Sequence, residues 1–342
     1  MMNTVDIYET RTMLAAINLM KPVYTFLRDT FFPTVETSLT ETVDVDYKKG
    51  KRKMAPFVAP RIGGIVMDRQ GFETRTLKTP KIAPERVITI DDVNKRAMGE
   101  SIYSTRTPEE RARELLAKDI IELDDYITRR EEWMCREILF TGKVVMSGEG
   151  FEQEADFNFT NSEILSGDDL WSASTSDPIA DLKNWRLAVI QKTGKAPNIC
   201  VMASNVVDAF IKNPGVQKLM DLQRVALGTI EPSVQSPAIT FIGKLPSLGL
   251  EIYSYDEWYI DDNGVEQPMI PPGKVLLGST GMNKRLYGAV TQIEGEEFVT
   301  YEGTRIPKSW VDKANEVRKL RITSRPLPAP DDVDAWYVAT VL

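Results

Sequence analysis

Apolar residues recur along Thr107–Thr141 with the spacing of one helical face. Ala112, Leu116, Ile120, Leu123, Ile127, Met134 and Ile138 lie three, four or seven residues apart. This period predicts one amphipathic helix whose stripe is buried. The opposite face carries Glu110, Arg113, Glu122, Asp125, Arg129, Glu132 and Arg136, the composition of a solvated surface. Thr107-Pro108 starts the helix: the hydroxyl accepts an orphan N–H, and proline at the first helical position loses no bond. Glu110 completes a capping box, Glu109 and Glu114 suit the positive end of the dipole, and Gly142 stops the run. About 34 residues at roughly 1.5 Å each give a rod on the order of 50 Å. A compact globule of this length has a radius of gyration of about 20 Å. The rod would cross the whole molecule, which predicts a plate on a spine.

Before the spine, residues 4–32 read as two short helices separated by Lys21-Pro22. Leu14, Ile17, Phe26, Leu27, Phe31 and Phe32 make this arm sticky, so it must dock on its own body or on a neighbour. Val35–Val45 alternates like a strand. Residues 54–95 hold Pro56, Pro60, Pro80 and Pro84. Within them Gly64–Met67 and Phe72–Leu77 flank Asp68-Arg69-Gln70-Gly71, a β-hairpin pattern. Two strands alone have little core, so this hairpin is expected to project and to order on something else.

After the spine, Lys143–Met146 and Phe151–Phe159 read as a second hairpin, followed by a polar loop through Ser166 and Asp169. Asp177-Pro178 starts a helix to about Thr193. A buried strand follows at Asn198–Ala203, then a helix over 205–212 capped by Ser204, and another from Pro214 to about Ala226. Thr240–Lys244, Glu251–Ile260 and Lys274–Gly278 are expected as three strands of one sheet. Glu294–Val299 and Lys319–Ser324 are expected as further strands, and Val333–Val341 as an edge strand or tail. The fold class is α+β.

Charge and composition narrow the chemistry. The chain has 342 residues, 50 acidic and 42 basic, for a net charge of −8, so its surface as a whole does not suit nucleic acid. It contains no histidine. That removes the commonest general base, the usual zinc ligand and every histidine-dependent triad. Cys135 and Cys200 are too few and too far apart for a disulfide framework or a thiolate metal site. Cys135 falls inside the spine and reads as a small buried hydrophobe. No run of 18 apolar residues and no signal segment is seen, so a soluble protein made in a reducing cytoplasm is expected.

The groupings that invite a chemical reading each have a plainer one. Lys48–Lys53 is the sole basic run; without interleaved aromatics it reads better as a solvated loop than as a nucleic-acid contact. Asp261-Asp262-Asn263-Gly264 fails as a calcium loop, because Tyr259 and Ile270 stand where its ligands belong. It reads as a type I′ hairpin turn. Glu294 and Glu296 share a face if they share a strand, yet a solvated edge explains them equally well. Trp258, Tyr259, Tyr253 and Tyr255 read as core packing. Gly148-Glu149-Gly150 lacks the third glycine of a nucleotide fingerprint. No catalytic, cofactor-binding or metal residue is assigned, and no cofactor is expected.

A sticky arm, a projecting hairpin and a spine are devices for holding neighbours. In that order they resemble a tailed-phage major capsid protein of the lambda type, the phage major capsid protein E family. The likeness rests on Asp6–Pro33 (DIYETRTMLAAINLMKPVYTFLRDTFFP), Val275–Val290 (VLLGSTGMNKRLYGAV) and the closing Arg305–Leu342 with its acidic-then-apolar ending. The resemblance implies the Hong Kong 97-type capsid fold: N-terminal arm 1–50, extended loop 51–95, spine helix and first peripheral part 96–179, axial domain 180–284 and peripheral return strands 285–342. It implies a non-enzymatic subunit of the virion, assembling in the host bacterial cytoplasm as hexamers and pentamers into an icosahedral shell around double-stranded DNA. The implied partners are further copies, a scaffold protein, a portal protein, a decoration protein on the mature shell, and packaged DNA touched only non-specifically; no membrane is implied. Some relatives of this fold crosslink Lys to Asn, but Lys78 and Lys81 are not assigned that role. An encapsulin-like compartment shell is the alternative, and the long arm speaks against it. A hydrolase built on unpaired carboxylates is a third class.

Overall fold

The hydroxyl of Thr107 accepts the Glu110 amide at 3.3 Å while the Glu110 carboxylate takes the Thr107 amide at 2.8 Å. This reciprocal cap opens a helix of 34 residues, as the pattern predicts. Gly142 closes it at φ 75°, a left-handed conformation in which a Cβ would also collide with Phe159. The computed structural model describes residues 8–20, 25–48, 72–94, 107–148, 150–223 and 238–342.

In chain order the arm supplies α1 (Thr10–Leu19), α2 (Phe26–Phe31), β1 (Thr34–Thr37) and β2 (Thr42–Lys48). Next come β3 (Phe72–Lys78), β4 (Glu85–Ile88), α3 (Ile90–Asn94) and the spine α4 (Pro108–Thr141). The spine leads into a hairpin of β5 (Lys143–Gly148) and β6 (Phe151–Asp156), then β7 (Ser162–Ile164) and α5 (Pro178–Thr193). The middle of the chain gives β8 (Ile199–Met202), α6 (Ser204–Lys212), α7 (Pro214–Gln223), β9 (Ile239–Leu245) and β10 (Leu250–Tyr255). β11 (Trp258–Ile260), β12 (Glu266–Pro268), β13 (Lys274–Gly278) and β14 (Asn283–Tyr287) follow. The last elements are β15 (Val290–Glu294), β16 (Glu297–Tyr301), β17 (Ile306–Asp312), β18 (Val317–Thr323), β19 (Pro326–Pro330) and β20 (Tyr337–Thr340).

A mixed six-stranded sheet runs β7-β20-β13-β8-β10-β9. Its central strand β8 is buried at all four residues because α5 and α6 pack on the sheet, and strands covered on both faces read as unbroken apolar runs. A three-stranded sheet, β17-β18-β4, lies on the first half of the spine, and β1-β14-β19 on the second. Proline occupies alternate positions of β19, at 326, 328 and 330. As an edge strand it can turn those donor-free positions away from β14.

The spine stripe serves two cores. Leu116, Ile120, Leu123 and Ile127 pack with Met13 of the arm and with Leu320 and Ile322 of β18. Met134, Cys135, Ile138, Leu139 and Phe140 belong to a larger core shared with the arm and the six-stranded sheet. Trp336 ties the C-terminal segment to it by donating its indole N–H to the Leu139 carbonyl at 2.8 Å.

Several expectations need correction. The last strand is not an edge: β20 lies between β13 and β7, because Ser162–Ile164 supplies an outer strand too short to show a pattern. Glu294–Val299 is not one strand. It turns at Gly295, φ 63°, to form the β15–β16 hairpin, so Glu294 and Glu296 do not share a strand face. Glu251–Ile260 breaks at Asp256, and its last residues pair with β12 outside the six-stranded sheet. The Asp261–Gly264 turn has positive φ only at Gly264, so it is not type I′. The Asp261 carboxylate accepts the amides of Asn263 and Val265, each at 2.9 Å, which fits a three-residue loop with a left-handed last residue. Ser204 is the first helical residue of α6 and makes no side-chain cap. Phe72–Lys78 is a strand, and its partner among the described residues is β2. The expected turn at 68–71, the Gly64–Met67 strand, Lys21-Pro22 and Lys49–Lys53 lie outside the described residues.

Candidate functional site

The apolar stripe of the spine skips from Ile127 to Met134, and the missing position is Glu131. This carboxylate is fully buried. Arg305 grips it from the segment before β17, Nη1 to Oε1 at 2.6 Å and Nη2 to Oε2 at 3.1 Å. Arg28 of α2 reaches Oε2 at 3.2 Å, and the Tyr287 hydroxyl donates to Oε1 at 3.0 Å. Arg305 also donates to Asp124 at 2.5 Å and to Thr128 and Ser324, each at 3.2 Å. Burial alone raises the Glu131 carboxyl. The Arg305 fork, with Arg28 and Arg285 behind it, outweighs that and holds Glu131 below the usual carboxylate range. Arg28 and Arg305 are correspondingly raised against their burial.

Glu132 stands beside it and corrects an expectation, for the helical pattern assigned it to solvent. It is 1% exposed. Its two oxygens accept the Leu27 and Arg28 amides at 2.9 and 2.7 Å, so a spine side chain caps the arm helix α2 from outside its own segment. Burial pushes its carboxyl up, partly offset by those amides and by the Tyr255 hydroxyl. Phe26 packs on the rings of Tyr253 and Tyr255 at 5.5 and 5.3 Å; Tyr255 is core, as expected, while Tyr253 is half-buried against it. The face changes character here because α2, β14 and the six-stranded sheet enclose the spine, where its first turns are open.

α2, the spine, β14 and the segment before β17 thus meet at one buried charged joint. Every reachable oxygen of Glu131 and Glu132 is committed to a donor, which suits fixing angles between segments rather than moving protons. Periodicity could not name Arg28, Tyr287 or Arg305, which come from 103 to 174 residues away. The one signal was the seven-residue gap in the stripe with glutamate at its centre.

The other groupings stay apart. Cys135 and Cys200 are buried free thiols, pushed up by burial. Glu294 is engaged by Tyr301 at 2.6 Å and Gln292 at 3.1 Å. Trp258 is 54% exposed at the β11 hairpin and is not core. Among the described residues no group of three or more His, Cys, Asp or Glu is arranged to hold a metal, and no helix is long and apolar enough to cross a membrane.

Set beside solved structures, the arm, spine and paired sheets are those of the Hong Kong 97-type capsid fold. A prophage capsid protein of Escherichia coli CFT073 superposes with a TM-score of 0.72 at 20% identity, covering 97% of this chain and 99% of that one. The profile of the family described as phage major capsid protein E matches residues 9–341, and the chain belongs to that family. The major capsid protein of Enterobacteria phage P21 is 25% identical over 355 residues, 98% of this chain and 99% of the relative. That of Escherichia phage lambda is 26% identical over 321 residues, 91% and 92% of the two chains.

Proposed function

We propose that this chain is the major capsid subunit of a tailed phage, assembling as hexamers and pentamers into the icosahedral shell that encloses double-stranded DNA. The observation that carries the reading is family membership over residues 9–341, nearly the whole chain. The role is structural: the buried charged joint holds segments at fixed angles, as a part repeated in a closed lattice requires. In this reading residues 1–50 are the arm, 51–95 the extended loop, 96–179 the spine and first peripheral part, 180–284 the axial domain and 285–342 the peripheral return. A scaffold protein guides assembly, a portal protein occupies one vertex, and a decoration protein clamps the mature shell. DNA meets the inner wall without sequence preference, in keeping with the net charge of −8. The subunit resides in the virion after assembly in the host cytoplasm.

Electron microscopy of the purified full-length chain, alone and co-expressed with its scaffold, tests this. Closed shells, or rings of five and six, are expected. A chain that stays monomeric in both settings removes the capsid reading.

A further inference from the structure

Two clefts of about 470 and 620 Å³ adjoin across Arg130, Trp133 and Asp262, as a groove divided at the middle of the spine. The Arg130–Asp262 ion pair, Nη1 to Oδ2 at 3.0 Å, ties the β11–β12 hairpin to the spine between them. The groove is walled by Trp133 and by Trp258, more than half of which is open to solvent. Tryptophan, tyrosine and arginine at an open cleft are the composition of interface hot spots. At its far end stand Lys78 and Lys81, neither with an ion-pair partner among the described residues.

A complementary shape stands elsewhere on the same chain. In the β15–β16 hairpin Ile293 lies directly opposite Phe298, on one face. Phe298 is 78% exposed, the most exposed aromatic side chain among the described residues. Just beyond the pair, at the turn, Glu296 and Glu297 have no cationic partner among the described residues. An exposed apolar knob tipped with free carboxylates matches an aromatic groove ending in free lysines.

We propose that the β15–β16 hairpin tip of one copy seats in the Trp133–Trp258 groove of a neighbouring copy, with Glu296 and Glu297 meeting Lys78 and Lys81. The inference rests on the self-assembly reading and gives it a specific contact. Knob and groove are different patches, so the contact is head-to-tail and closes only as a ring or shell. Burying Phe298 and Ile293 removes apolar surface from water, and the charges fix register and orientation.

Charge reversal in the full-length chain tests the docking. Lys78→Glu with Lys81→Glu makes groove and tip both acidic; Glu296→Lys with Glu297→Lys makes both basic. Each double variant should raise the concentration for half-association about tenfold or more, read by sedimentation velocity. Mixing the two variants should restore association, because each tip then meets a groove of opposite charge. Thermal melts of each variant check that it is folded. As a second measurement, Phe298→Cys with Trp258→Cys should form an intermolecular disulfide when assembled material is treated with a mild oxidant such as copper–phenanthroline, and both native cysteines are buried away from that reaction. Folded variants that associate like the parent, a mixture that restores nothing, or an assembled Cys pair that does not crosslink would each overturn the docking and leave the shell reading standing. A parent chain that never associates overturns both.

Discussion

Arg305 holds both carboxylate oxygens of Glu131, at 2.6 and 3.1 Å, across 174 residues of chain. The pair is bidentate and removed from water, the geometry in which arginine is least replaceable by lysine. Its net contribution to stability is smaller than its contacts imply, because both charges were desolvated to form it. What it fixes is the angle of three segments.

Losing one member therefore costs more than the pair contributes. Glu131→Ala leaves the buried guanidinium groups of Arg28 and Arg305 short of a counter-charge, and a loss of about 3–5 kcal/mol is expected. Tyr287→Phe removes one bond to the same carboxylate and should cost about 1.5–3 kcal/mol. Urea unfolding of both variants checks the order; equal, small losses would contradict the joint.

The joint has a pH signature. The folded value of Glu131 lies below the ordinary 4.5, so its contribution is fully present above that value. It is lost as pH falls through the lowered folded value, when the carboxylate must be protonated beside two guanidinium groups. Melting temperature measured from pH 7 to pH 3 should fall for the parent. The fall should be shallower for Glu131→Gln, which has no carboxylate to titrate. A parent and variant that lose stability in parallel would show that other groups control acid unfolding.

Ile120 lies on the half of the spine stripe that packs with Met13, Leu320 and Ile322, and is 4% exposed. Ile120→Asp puts an unpaired carboxylate there, at an expected cost of several kcal/mol. Soluble yield and thermal melting measure it. A variant as stable as the parent would remove the stripe from the core.

Much of this architecture was legible because it is local. The spine's cap, its stop at Gly142, the arm's two helices and the helix at Asp177-Pro178 are written in neighbouring residues. The failures share a cause. β20 reads as an edge in the sequence because its outer partner, Ser162–Ile164, has no pattern of its own and precedes it by 176 residues. Glu132 looked solvated because periodicity records which way a side chain points, not which later segment will cover it. The Glu131 joint needs arginines whose proximity only the tertiary fold decides. The Asn-Gly dipeptide predicts a type I′ turn, but the Asp261 side chain, rather than a left-handed asparagine, organises the loop.

The arm separates anchoring from assembly. Its apolar residues invite docking on a neighbour, yet Phe26, Leu27, Phe31 and Phe32 are all buried in the subunit's own core. Each such side chain contributes on the order of 1.5–3 kcal/mol by leaving water, so deleting residues 2–33 should unfold the subunit rather than merely disperse its assemblies. Phe31→Ala is the finer probe. Phe31 is fully buried, and its truncation should cost about 3–5 kcal/mol. Leu19 closes α1 in the same arm but is 88% exposed, so Leu19→Ser should stay within about 0.5 kcal/mol of the parent. Denaturant unfolding of the two variants, run with circular dichroism of the truncated chain, tests the distinction. A folded, cooperatively melting truncation would show that the arm's hydrophobic residues serve a neighbour after all, and Phe31→Ala would then cost little.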